Sequence, residues 1–155
     1  MSEMNRRELG LALSAFAMLG SLAADAQSGV SPGDVQTLLH SEVFSHDKLP
    51  AKTAPNGMTS RAVVRGTLAT GEFIEVHETM LPAGEMPHPP HRHTHSELLL
   101  IRGGELQVDS DGQRGIVHAG DVVFTASAVL HSLKNVGTGP ASYFVVAVGL
   151  QRTIA

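Results

Sequence analysis

Cysteine is absent from all 155 residues, which excludes thiolate catalysis, disulfide staples, iron–sulfur clusters and thiolate-bound zinc. Tryptophan is absent as well. One tyrosine and five phenylalanines leave little material for an aromatic cage or a sugar-stacking platform. Charge is sparse, at 17% of residues against about a quarter in ordinary globular chains. The formal net charge of −4 supplies no cationic field for nucleic acid or for an anionic membrane surface. Disorder does not follow from this scarcity, because 42% of the residues are apolar and the length suits one folded domain.

The N-terminus reads as an export address over residues 1–26. Arg6-Arg7 is followed by an uncharged run from Leu9 to Ala24 and then by Ala24-Asp25-Ala26, an A-x-A cleavage site. The run contains Gly10, Ser14, Gly20 and Ser21 and is shorter than the roughly 20 apolar residues of a spanning helix, so no membrane anchor is expected after cleavage. The paired arginines resemble a twin-arginine signal, although Asn5 and Leu9 depart from its usual residues. A bacterial periplasmic or secreted protein is the expectation.

Residues 27–60 read as a lead-in. Ser31-Pro32-Gly33-Asp34 looks like a helix start, and Val35, Leu38 and Leu39 offer one short apolar face, so a turn or two of helix is expected there. From Arg61 the pattern changes to apolar runs of four to eight residues separated by Gly, Pro, Asp and Asn. Eight strands are expected: 61–68, 73–81, 96–101, 105–109, 115–118, 122–125, 131–135 and 142–150. Asp111-Gly112 spells a hairpin turn. An all-β domain over residues 61–150, either a sandwich or a barrel, follows.

What is abundant is histidine. Nine are present, and His88, His91, His93 and His95 fall within eight positions. In an extended chain residues i and i+2 face the same side, so His91 and His93 can converge on one point. Glu97 has the same parity and can join them. Two imidazoles and a carboxylate suit Fe(II), Mn(II), Zn(II), Ni(II) or Cu(II), and a fourth nitrogen from another strand would close one side of the coordination sphere. His95 shares the parity and is expected at the rim. His77, alternating with Glu75 and Thr79, is a candidate substrate-orienting or catalytic group, as is His95. His88, beside two prolines, is expected to be a solvated surface residue.

The surrounding spacing is similar to that of the cupin family. Gly84 precedes His91-Arg92-His93, Glu97 follows, and Gly104 comes after six further residues. A second block begins at Gly120-Asp121 and runs to His131 and Asn135. The resemblance implies a cupin jelly-roll β-barrel with His91, His93, Glu97 and His131 as metal ligands, and it implies association into a homodimer. In the second block Ala126 and Ala128 stand where the family pattern has Pro and Gly, which puts strain in the turn before His131. The implied cofactor is one divalent transition metal. Export after folding would let Mn or Fe be inserted first; Zn, Ni or Cu remain open. A small-molecule substrate is expected, with two functional readings: an oxygenase, decarboxylase, lyase or isomerase, or a non-catalytic metal- or ligand-binding envelope protein. The enzyme reading is preferred, because a site with open coordination positions exceeds what stability needs.

Overall fold

The computed structural model describes residues 36–150. The export signal expected over residues 1–26, and the start of the lead-in up to residue 35, lie outside the described residues. Those described form ten strands and a single 3₁₀ turn at His46–Lys48. The strands are β1 (Thr37–Leu38), β2 (Lys52–Thr53), β3 (Thr59–Leu68), β4 (Glu72–Leu81), β5 (Ser96–Gly103), β6 (Glu105–Ser110), β7 (Gln113–His118), β8 (Val122–Thr125), β9 (His131–Asn135) and β10 (Ala141–Leu150).

All eight strands expected from the punctuation are present as β3 to β10. They form two sheets, not a closed barrel. The larger runs β1-β3-β4-β10-β5-β8, with β2 added beside β3, and the smaller runs β7-β6-β9. The architecture is thus an open jelly-roll sandwich. Strand β10 reads as an almost unbroken apolar run because it lies between β4 and β5, with neighbours on both edges.

The core sits between the sheets. Leu81, Leu99, Ile101, Ala141, Tyr143 and Val145 enter it from the larger sheet, and Leu106 and Leu133 from the smaller. Each buried aliphatic side chain of this kind contributes about 1.5–3 kcal/mol. Gly104 makes the crossing from β5 to β6 possible. Its φ is +84°, and a Cβ there would meet Ala141 Cα and Cβ at 2.5 Å. The expected hairpin is found between β6 and β7, with Asp111 at φ +53° and Gly112 at +75°, the signs a two-residue I′ turn requires.

The lead-in departs from expectation. In place of a helical turn, Thr37–Leu38 is a strand pairing in parallel with Thr67 and Leu68. Gly66 is the reason: a Cβ there would lie 2.5 Å from Gln36 O and 2.7 Å from Leu38 Cγ, so only glycine admits the incoming strand. The open edge of β3 then satisfies the segment's backbone better than an isolated turn can.

On the outer face of the larger sheet, Glu78 is 5% exposed. His46 Nε2 lies 2.8 Å from its Oε2, Arg61 Nη1 donates to the same oxygen at 3.4 Å, and Arg102 donates to Oε1 while lying over the Phe144 ring. Asn135 performs the corresponding task inside. Fully buried, it donates from Nδ2 to Leu81 O at 2.8 Å and Gly139 O at 2.9 Å, and its Oδ1 accepts from Gly137 N at 3.0 Å. Asn135→Ala removes three bonds, one of them to the buried Leu81 O. Stability should fall by about 2–3 kcal/mol in urea unfolding, with an unchanged m-value.

Candidate metal centre

Two loops build the site. One runs from Pro87 to His95 into β5; the other runs from Ala126 to Leu130 into β9. They are joined by backbone: His91 N donates to His131 O at 3.1 Å, and His131 N donates to His91 O at 3.0 Å. Ala128 N donates to His93 O at 2.8 Å, Arg92 Nη1 to Ala128 O at 2.9 Å, and Ser127 Oγ to Thr94 O at 2.7 Å. Arg92 and Thr94 face solvent while His91, His93 and His95 are turned inward, the alternation expected of an extended segment.

Three imidazoles meet as a result. Ring centroids are 4.5 Å apart for His91–His131, 4.6 Å for His93–His131 and 5.3 Å for His91–His93, and one nitrogen of each lies within 4.8 Å of the others. Their tautomers follow from their hydrogen bonds. A carbonyl oxygen only accepts, so the bonds from His93 Nδ1 to His95 O (2.9 Å) and from His131 Nδ1 to Val129 O (3.0 Å) place the proton on Nδ1. Nε2 of both rings therefore carries a bare lone pair, and both Nε2 atoms are buried without a partner, as is His91 Nδ1.

Glu97 stands beside this trio. Its Oε2 is 3.5 Å from His93 Nε2, and it forms a second grouping with His93 and His95. The two groupings share His93. His95 stacks on His93 at 3.8 Å with an interplanar angle of 11°. Gly149 leaves room for this, since a Cβ there would sit 3.1 Å from His95 Cα.

The electrostatics suit cation binding. Burial pushes His91 down to about 4, helped by His88, His131, His93 and His95; burial likewise pushes His95 down to about 4, helped by His93 and His131. Burial raises the Glu97 carboxyl, with His93 and His131 acting against it. Three imidazoles brought to one region beside a carboxylate form a donor set that a divalent transition metal fits, and the Nδ1–carbonyl bonds of His93 and His131 are the orienting contacts of ligating histidines.

His77 lies on β4 with Nδ1 3.8 Å from Glu75 Oε1, and its imidazole is held low by burial and by nearby His88. It lies outside both His–Glu groupings. His88, expected in solvent, is instead half-buried with its ring 4.0 Å from that of His91, because Pro89-Pro90 turns it back over the site. Tyr143, on β10, is buried in the core, and burial and then the Glu97 charge suppress its acidity.

Ala128 has φ +63°. The turn keeps the left-handed geometry that glycine favours and carries the strain. A left-handed residue with a Cβ costs about 1–2 kcal/mol. Ala128→Gly should thus raise stability by about 0.5–1 kcal/mol, part of the gain being offset by unfolded-chain entropy; a calorimetric comparison of melting temperatures checks this.

A second consequence concerns acid. His91 and His95 titrate at 6.5 when unfolded and at about 4 when folded. Between those values the unfolded chain binds protons that the folded chain does not. Chelator-treated protein should therefore lose stability as the pH falls from 6.5 toward 4, a trend that melting curves across that range will show or refute.

Residues 77–147 match a family model described as a cupin domain. Among solved structures, an RmlC-like cupin from Shewanella frigidimarina superposes with a TM-score of 0.60 at 19% identity, covering 72% of this chain and 95% of that one. A predicted oxalate decarboxylase from Thermotoga maritima gives 0.60 at 20% identity, over 70% and 100%. The polyketide cyclase RemF from Streptomyces resistomycificus gives 0.56 at 15% identity, over 70% and 80%. At such identities the likeness establishes the fold alone. No curated protein matches the chain.

Proposed function

With a cupin domain spanning residues 77–147, we propose that the protein is an exported metal-dependent enzyme acting on a small organic molecule, of the oxygenase, decarboxylase, lyase or isomerase type. His91, His93 and His131 hold the cation, and Glu97 serves as the carboxylate donor on the His93 side. One observation carries this reading: three imidazole nitrogens are buried without partners, and on His93 and His131 a backbone carbonyl already claims the opposite nitrogen. Buried polar atoms without partners are rare, and the unpartnered Nε2 atoms of His93 and His131, with the His91 ring packed against both, point to a common occupant. Once bound, a divalent transition ion polarises a carbonyl or carboxylate oxygen, or acidifies a water at an open position.

The chain's own residues do the rest. Glu97 contributes negative charge that offsets the cation. His77, its Nδ1 turned to Glu75, is the wall group suited to passing a proton to or from a bound molecule. His95 braces His93 by stacking. Mn or Fe is the metal of choice if the paired arginines direct export after folding. Val122 (58% exposed) and Phe124 (62% exposed), on the end strand β8, support pairing into a homodimer.

Elemental analysis of protein purified from its native host should find about one divalent transition metal per chain. His93→Ala and His131→Ala should each lower occupancy more than about tenfold, since even the hydrogen-bond partners of ligands are worth that much. Arg114→Ala, at an exposed ion pair with Asp109, should leave it unchanged. Full occupancy in both histidine variants would refute the assignment. Stoichiometric ligand binding without turnover would move the protein to the class of envelope binding proteins.

A further inference from the structure

One cationic group on the inner face of the larger sheet has an ion-pair neighbour but no hydrogen bond to its buried Nε and Nη1. Arg65, on β3, has Nε and Nη1 buried with no hydrogen-bond partner among the described residues, while its side chain as a whole is 33% exposed. The guanidinium is therefore desolvated over most of its surface and open at one edge. Its place in the sheet follows from register. Arg65 is opposite Glu75, Glu75 is opposite Ala147, and Ala147 is opposite Glu97. Residues directly opposite one another in antiparallel strands project from the same face, so Arg65 and Glu97 look into the same space.

The wall between them is continuous. Glu75 Oε2 is 3.5 Å from Arg65 Nε, without hydrogen-bond geometry, and Glu75 Oε1 is 3.8 Å from His77 Nδ1. His77 lies within electrostatic range of His88, whose ring is 4.0 Å from that of His91. Phe73 lies under the guanidinium, 5.5 Å from centroid to Cζ, and holds it flat. Arg61, on the opposite face, likewise has an unpartnered buried Nε but bonds to Glu78 through Nη1.

We propose that Arg65 is the anion-binding arm of this pocket and that the molecule it takes is a small organic carboxylate, gripped by Arg65 at one end and directed to the histidine trio at the other. This inference rests on the metal-binding reading above. Charge agrees with it. A divalent cation and Arg65 oppose Glu75 and Glu97, which leaves one positive charge for a monoanionic group to neutralise. A planar guanidinium with spare N–H donors is also the side chain best matched to a carboxylate. The backbone positions of Arg65 and Glu97 are three strand steps apart, about 14 Å at the usual spacing. With both side chains reaching inward, a molecule of a few carbons fills the remainder.

The test uses metal-loaded protein titrated calorimetrically with malonate and succinate, and with malonamide and succinamide as uncharged counterparts. Wild type should bind the acids at least about tenfold more tightly than the amides, the worth of one charge-assisted hydrogen bond. Arg65→Gln should weaken binding of the acids at least about tenfold while metal content stays at the wild-type level, and Arg65→Lys should lose less. Should Arg65→Gln fail to fold, the Arg65 Nε–H resonance of wild type serves instead; it should shift with malonate and not with malonamide. Equal affinity for acid and amide in wild type, an Arg65→Gln protein with wild-type acid affinity, or an unmoved resonance overturns the proposal. Loss of metal reports separately: protein that takes up no metal overturns both readings, whereas fully loaded protein indifferent to carboxylate overturns this one alone.

Discussion

The reciprocal backbone pairing of His91 with His131 is the constraint from which the rest follows. These residues are forty apart in sequence, and their peptide groups exchange two hydrogen bonds. The exchange holds the loop before β5 against the loop before β9, and Ala128, Arg92 and Ser127 add further ties between the same segments. Because the loops end on strands of different sheets, the site lies where the sandwich is stitched across. Closing a loop of this length costs only slowly rising entropy. The bonds need only oppose that cost and the strain at Ala128.

Two carboxylates on opposite faces of the larger sheet show how surroundings sort polar groups into structural and functional ones. Glu78 is buried on the outer face and saturated: two guanidinium groups and an imidazole meet its oxygens. It holds the lead-in against the sheet and has no capacity left. Glu97 is buried on the inner face beside one imidazole nitrogen that itself lacks a proton to donate. A carboxylate and the bare Nε2 atoms of His93 and His131 crowded together repel unless a cation joins them. That frustration distinguishes the inner cluster from an ordinary buried network, and Arg65 repeats it with opposite sign further along the wall.

Much of the architecture was legible. Most strands from β3 to β10 were marked by Gly, Pro, Asp or Asn near their ends, because those residues take the backbone angles that strands do not; the β8–β9 turn from Ala126 to Leu130 has none. The Asp111-Gly112 hairpin was plain. The lead-in was not, since a short apolar face fits one helical turn and one strand equally well; vacant backbone on β3 and the missing side chain at Gly66 decided between them. Closure into a barrel also could not be read, as strand punctuation carries no information about which outer strands bond. His88 was misplaced for a related reason. Local composition describes a Pro-rich loop as exposed, whereas the fold turns this one over the site.

Parity along one stretch of chain determined that His91, His93, His95 and Glu97 share a face, because the two-residue period of extended backbone is a local rule that needs no knowledge of the rest of the molecule. The resemblance to the cupin pattern named His131 as their partner. Tertiary structure alone decided that Glu97 approaches the trio from the His93 side, which nitrogen of His93 and of His131 is left bare, and that the His88 ring packs on that of His91. Those outcomes depend on hydrogen-bond register between strands distant in sequence and on the left-handed turn at Ala128, and neither leaves a periodic trace in the order of residues.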